Sequence, residues 1–527
     1  MVMRVVIILQ LMPSHNPAMK SDAVSASSLS IWFGSRARFF QFAALTCGSA
    51  TLFGFLASTG NFMMVGAAFG TIVAPFLLVR TKTVLSVVII AGISAGAIIS
   101  IVGPGLTVLS WVISLLSFSL LPLALFRLCQ KPDAPGFIWL TLGFLIYSLV
   151  ITVFQWHTLD QLVAGSKRYF QGYGVMFGLA ATVFSSAQIQ KWRRNFVGLA
   201  ILQLPFAIWE FVVLVPLRGG LDAGGEATDV VAGTFGANLE GGSANAEMSA
   251  FVLIVFIFCL VRWRAGLITK KNAFILSSLC LAPLTLGETK IVVILLPVMV
   301  FVVLRKGFMA NPLRHSASIL TCAVLTVVLA YVYITVMDRD TVSNSIESST
   351  KYNLGTVGYG QNLLNRMTVL TFWWSRHSLA NPVEILFGHG LGSSFWGDNS
   401  PIPGNIAVLY PNYGINLTTA STLLWDLGIV GLAFHIVVFI AAWVAANKLW
   451  AGTSDKSVQS DALGIQAAIA CFAIFIFYRD SGVNLLAYEI ICSSVLGYLA
   501  YLYRTSPQRE IEIHEVNCKL NNRINHE

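Results

Sequence analysis

Arg366, Trp373, Trp374 and Arg376 are followed by the turn Phe387-Gly388-His389-Gly390-Leu391-Gly392, so cations, aromatic faces and a glycine-rich backbone share one short stretch. Guanidinium forks grip phosphate oxygens bidentately. Glycine lets a backbone come close to a ligand, and His389 lies between two glycines. The combination suits an anionic ligand. It is not a nucleotide fingerprint, because no strand–helix context surrounds Gly-His-Gly-Leu-Gly. Lys290 also attracts notice, in Leu286-Gly287-Glu288-Thr289-Lys290 between two short apolar stretches. An ionisable group at membrane depth costs roughly 2.5–3.5 kcal/mol, so it needs a partner such as Glu288 or a ligand. Arg218 follows a long apolar run, where it suits either snorkelling or ligand contact.

The elements that must position these residues are membrane helices. The chain has 527 residues, 56% of them hydrophobic and 11% charged. A soluble domain carries roughly 25% charged residues, which excludes water-soluble classes. Crossing a bilayer takes about twenty apolar residues, and fourteen stretches qualify: 39–58, 61–79, 83–102, 105–126, 136–155, 169–187, 195–216, 246–262, 273–287, 290–304, 316–337, 418–445, 462–478 and 485–503. The pair 273–287 and 290–304 is short enough to be a re-entrant hairpin, and 169–187 is rich in Gly and polar residues. The fold class expected is an all-α polytopic membrane protein with 12–14 transmembrane helices. Residues 1–38 form a cytoplasmic tail, 39–337 hold helices 1–11 with an outward loop at 217–245, and 338–417 form a large outward loop with short helices. Residues 418–503 hold helices 12–14, and 504–527 form a charged cytoplasmic tail.

With the Arg36/Arg38 end inside and the spans alternating, 24 of the 33 Lys and Arg fall inside and 9 outside. That is the positive-inside bias, so the net charge of +9 reports topology and not a nucleic-acid partner. The outward cations Lys167, Arg168, Arg218, Lys290, Arg339, Lys351, Arg366, Arg376 and Arg479 run against the bias, and each needs a local reason. Arg339, between Asp338 and Asp340, reads as an ordinary pair. For the others an anionic ligand at the outer surface is one reason. The eight cysteines fall in spans or inward segments, so no disulfide framework is implied. No Cys/His spacing reads as a metal site.

Within the large loop, Leu363, Arg366, Leu370, Trp373 and His377 recur at helical spacing, which predicts a helix over 362–379 ended by Pro382. Trp373 and Trp374 suit headgroup-level anchoring on such a helix. Glu210, Asp426 and Glu489 fall in or near spans, where they either bond a neighbouring helix or act as proton relays. No internal repeat is visible, which weighs against duplicated transporter folds.

Three places resemble the O-antigen polymerase and O-antigen ligase superfamily of bacterial membrane glycosyltransferases. They are Gly233-Thr234-Phe235-Gly236-Ala237-Asn238 after Arg218; Thr289-Lys290 heading an apolar span; and Arg366…Trp373-Trp374 with the glycine turn, closing in Leu423-Leu424-Trp425-Asp426-Leu427-Gly428-Ile429-Val430-Gly431-Leu432. They span roughly residues 215–435. The resemblance implies a fold like that of C-type glycosyltransferases. It implies metal-independent, inverting transfer of saccharide from polyprenyl diphosphate at the periplasmic face of a bacterial inner membrane, with no cofactor. It further implies that Arg366 and Lys290 hold the diphosphate, with Arg218, Arg376, His389, Trp373 and Asn238 binding substrate. Lys in place of the family's Arg loses the bidentate fork. The stretch Ile415-Asn416-Leu417-Thr418 lacks the ligase histidine, which favours a polymerase acting on lipid-linked repeat units, with a chain-length regulator as partner. Candidate bases are His389, Asp398 and Glu288. The alternatives are a ligase transferring glycan to lipid A-core or protein, and a lipid-linked oligosaccharide flippase or other transporter.

Overall fold

The computed structural model describes residues 80–130, 133–220, 225–287, 290–308, 362–377, 381–396 and 402–506, with scattered positions between 313 and 358. The expected spans 39–58 and 61–79, nearly all of 316–337, both tails beyond 506 or before 80, and the candidate bases Asp398 and Glu288 lie outside the described residues.

The helices in chain order are α1 (Thr81–Val102), α2 (Val108–Gln130), α3 (Gly136–Phe154), α4 (Leu159–Phe170), α5 (Tyr173–Ala181), α6 (Ser186–Leu217), α7 (Asn245–Arg264), α8 (Lys270–Leu281) and α9 (Val292–Phe308). They continue with α10 (Thr368–Arg376), α11 (Pro382–Phe387), α12 (Thr419–Gly452), α13 (Lys456–Tyr478) and α14 (Leu486–Thr505). Among the described residues eight are long and apolar enough to cross a membrane: α1, α2, α3, α6, α7, α12, α13 and α14. The protein is a multi-pass helical membrane protein. In lipid every backbone polar group must be satisfied within the chain, and a helix does that locally.

Caps set several of the starts. Ser185 opens α6 and Thr418 opens α12, each by a reciprocal capping box with the residue three positions on, Gln188 and Ser421. α7, α13 and α14 form the most enclosed part of the bundle, around Phe251, Phe472 and Phe475, whereas α2, α3, α6 and α12 leave much of their surface open to lipid.

Three expectations need correction. Residues 169–187 do not form one span: the helix breaks at Gln171-Gly172, between α4 and the nine-residue α5. Gln171 Nε2 donates to Glu489 Oε1 at 2.6 Å, and α5 packs so tightly on α2 that a Cβ on Gly174 would lie 1.7 Å from the Ser117 carbonyl oxygen. Tertiary contact therefore replaces helix length here. Residues 273–287 give only the twelve-residue α8 and a 3₁₀ turn at Ala282–Thr285. Gly287 at its tip packs on Val231, and after the turn at Lys290 α9 runs back until Arg264 Nη1 reaches the Val303 carbonyl. The third concerns 362–379. Asn365 Oδ1 accepts from the Met367 and Thr368 N–H groups and starts α10 at Thr368, after Arg366. Pro382, expected to end that helix, instead begins α11 at its first position, where its missing N–H costs nothing.

The charges sort by end. Lys82 donates to Gln188, Arg193 and Arg262 both pair with Asp461, and Arg504 pairs with Asp133, all at the end assigned inward. Arg218, Arg366 and Arg479 lie at the opposite end.

Candidate functional site

The turn between α13 and α14, Tyr478-Arg479-Asp480, is the centre of the polar cluster at the end opposite the Asp461 and Asp133 ion pairs. Arg366 comes to it from the large loop: its Nε donates to the Tyr478 carbonyl at 2.8 Å, and its guanidinium carbon sits 4.2 Å from the centroid of the Tyr478 ring. Arg366 is 9% exposed. A guanidinium held by a backbone carbonyl and an aromatic face has little freedom left, so its charge is fixed in place.

Arg479 spans the turn in the other direction. Its Nη1 donates to the Ser243 carbonyl at 2.8 Å and faces Glu247 Oε2 at 3.3 Å, while Nη2 donates to the Gly242 carbonyl at 3.1 Å. Glu247 is 2% exposed and also accepts from the Ser481 hydroxyl. Across the Gly241-Gly242 turn, Arg218 Nη2 would be 3.6 Å from a Cβ at Gly241. Arg218 Nη1 is buried and makes no hydrogen bond within the chain. A buried donor left unmatched costs about 1–3 kcal/mol, and such a donor in a native fold usually marks a ligand or an ordered water.

Arg168 completes the rim. It stacks on Phe395, 3.2 Å from the ring centroid, and feels the carboxylates of Asp426 and Asp480. Burial lowers its pKa to about 10, so it remains charged at neutral pH. Asp480, like Glu247, is an acid among these cations. Burial raises its carboxyl to about 6, against the opposing pull of the Asn484 hydrogen bond and the Arg479 charge. A carboxyl with that pKa, beside cations, is suited to taking a proton near neutrality.

The supports are built from the acids expected in the spans. Glu210 Oε2 accepts from the Ala232 and Gly233 N–H groups at 2.8 and 2.7 Å, which holds the Gly233-Thr234-Phe235 turn. Asp426 is fully buried. Its Oδ2 accepts from the Tyr169 hydroxyl at 2.9 Å and the Gly392 N–H at 2.8 Å. Its Oδ1 accepts from the Ser393 hydroxyl at 2.7 Å and the Ser394 N–H at 2.8 Å. That single carboxyl ties α4, α12 and the glycine turn together, and so fixes where Arg168 points.

Of the residues singled out from sequence, Arg366 and Arg218 fall at this cluster. Lys290 is exposed in the turn before α9, three residues beyond the Gly287–Val231 contact. Asn238 is exposed, and its Oδ1 accepts from the Glu240 N–H inside its own turn. Trp373, Arg376 and His389 gather instead in an aromatic cluster around Trp425. Trp373 is buried there at 3% exposure, while Trp374, at 59%, is free to sit at a lipid headgroup level. Arg376 stacks on Phe372 and Tyr410, at 4.8 and 5.7 Å from their centroids. His389 lies 3.4 Å from His377, Nε2 to Nε2, and burial lowers its pKa.

Sequence reasoning offered Arg168 and Arg479 only the general role of outward cations facing an anionic ligand, placed His377 on a helix face without a chemical role, and missed Asp480 and Glu247. The signal available was the polar run Tyr478-Arg479-Asp480 closing a 23-residue apolar helix. Neither a protein-family model nor a curated protein matches this chain.

Proposed function

We propose that the protein is a glycosyltransferase that takes saccharide from a polyprenyl diphosphate at the outer membrane face and acts as a polysaccharide polymerase. The observation carrying this reading is the convergence of Arg168, Arg366 and Arg479, with Arg218 beside them, at one end of a multi-pass bundle. The oxygen of an acceptor hydroxyl would attack the anomeric carbon of the donor. The bond from that carbon to the diphosphate oxygen would break, and its electron pair would leave with the diphosphate. Negative charge grows on the departing group, and preorganised cations in a dehydrated site stabilise it. The hydroxyl proton would pass to Asp480, the carboxyl placed among those cations. Lys290, on the neighbouring hairpin, would extend the cationic surface along the carrier. The missing histidine at Ile415–Thr418 favours a lipid-linked repeat unit as acceptor.

Arg366→Ala and Arg366→Lys test it. Both are expected to lower polymer formation by about 10²-fold or more, with protein level and carrier-linked repeat unchanged. Lysine keeps the charge but cannot bond the Tyr478 carbonyl and present a fork together. An unchanged polymer length distribution in Arg366→Ala would refute the role given to this residue. Accumulation of long carrier-linked polymer in a deletion strain would point to a ligase instead.

A further inference from the structure

The large loop holds a second group of chemistry-bearing side chains, away from the arginine cluster. His377 caps the C-terminus of α10, Glu384 lies in the first turn of α11, and His389 occupies the glycine turn. One ligand atom from each lies within 4.8 Å of the other two. The sequence spacing, seven residues and then five, matches no common metal motif. Only the fold brings the three together.

The tautomers argue for what fills the space. His377 Nδ1 lies 2.8 Å from the Trp373 carbonyl oxygen, a partner that can only accept, so that nitrogen carries the proton. Its Nε2 is left bare, and it faces His389 Nε2 at 3.4 Å. A metal-ligating histidine usually donates its other ring N–H to a backbone carbonyl or carboxylate, as His377 Nδ1 does here. Two nitrogens at 2.0–2.1 Å from a tetrahedral ion stand roughly 3.4 Å apart, which is the separation found here. The rings are fixed by aromatic walls: His377 lies 4.6 Å from Trp373 and 4.9 Å from Trp425, and His389 stacks on Trp425 at 6.2 Å. The His389 backbone is anchored by its N–H to the Trp425 carbonyl at 3.0 Å. Glu384, on a flexible side chain, supplies the anionic oxygen.

We propose that His377 Nε2, His389 Nε2 and the Glu384 carboxylate bind one divalent transition-metal ion of the zinc class, with a fourth position open to water. The ion joins the end of α10 and the first turn of α11 to the glycine turn and so braces the loop. Two imidazoles and one carboxylate favour zinc over magnesium or calcium, which prefer all-oxygen sets. The site stands independently of the glycosyl-transfer reading.

The test uses the full-length chain without a polyhistidine tag, in nanodiscs, stripped with chelator and titrated with zinc chloride against a chromogenic competitor. One equivalent should bind at micromolar affinity or tighter, undisturbed by excess magnesium. Glu384→Gln should weaken binding by roughly tenfold or more, and His389→Ala should abolish it. Glu384→Gln keeps the side-chain size, so it remains informative should His389→Ala disturb the Trp425 cluster. Absence of saturable zinc binding to the folded wild-type chain overturns the site. So does an unchanged affinity in Glu384→Gln, which would mean that the bound zinc is held without Glu384 and hence not by this set of three.

Discussion

Asp480 shows how one side chain can couple the fold to the chemistry. Its folded pKa of about 6 lies above the ordinary 3.8, so the fold favours the protonated form. The stability this contributes is fully present below about pH 3.8 and is lost as pH rises through about 6. Asp480→Asn fixes the neutral state. The variant's melting temperature relative to wild type is therefore expected to climb between pH 4 and pH 6 and then level off, measured by thermal unfolding in detergent. If Asp480 also accepts the acceptor proton, the same variant should lose the acid limb of the transfer rate, and activity should fall at every pH. A flat stability difference across that range would remove the basis for its perturbed state.

At the scale of elements, the question is what holds the loop on the bundle. Gly428 interrupts α12 with φ of 68°, a left-handed conformation that side chains rarely adopt. A Cβ there would lie 2.3 Å from the Leu386 carbonyl carbon, so the kink is where α11 docks. Gly428→Ala should destabilise the protein by well over about 1 kcal/mol. Gly198→Ala, in α6 with open space around it, should be neutral or stabilising by up to about 1 kcal/mol. Comparing the two by thermal unfolding separates strain from a general intolerance of alanine. Asp426→Ala would strand four donors from two elements, Tyr169, Gly392, Ser393 and Ser394. At about 1–3 kcal/mol for each unmatched buried group, a loss above roughly 3 kcal/mol is expected. A stability within error of wild type would mean that the latch does not bear on the fold.

At the scale of the whole molecule, orientation decides whether the arginine cluster can meet a carrier at the outer face. Ion pairs such as Arg262–Asp461 and Arg504–Asp133 occupy one end, and Arg366 and Arg479 the other. With Cys129 kept as the one native cysteine, Asn238→Cys should react with an impermeant maleimide on spheroplasts. Cys129 should react only after permeabilisation. The reverse pattern would put the cluster on the cytosolic side and end the glycosyl-transfer proposal.

The sequence by itself marked the eight long apolar helices able to cross a membrane, because transfer of about twenty residues into lipid is a local sum over neighbours in the chain, but it over-read 169–187 and 273–287. All eight candidate spans start and end within nine residues of the hydropathy reading. The sequence also marked the cations that break the inward bias, Arg366 and Arg218 among them. Only the tertiary structure decided which of these meet. Arg366 reaches Tyr478 across 112 positions, Arg479 reaches Glu247 across 232, and Gln171 reaches Glu489 across 318. Contacts at such separations are set by how helices pack, and no window along the chain contains both partners. The break at Gln171-Gly172 was hidden for the same reason, whereas His377, Glu384 and His389 lie close along the chain and went unread because their spacing of seven and five follows no common metal motif.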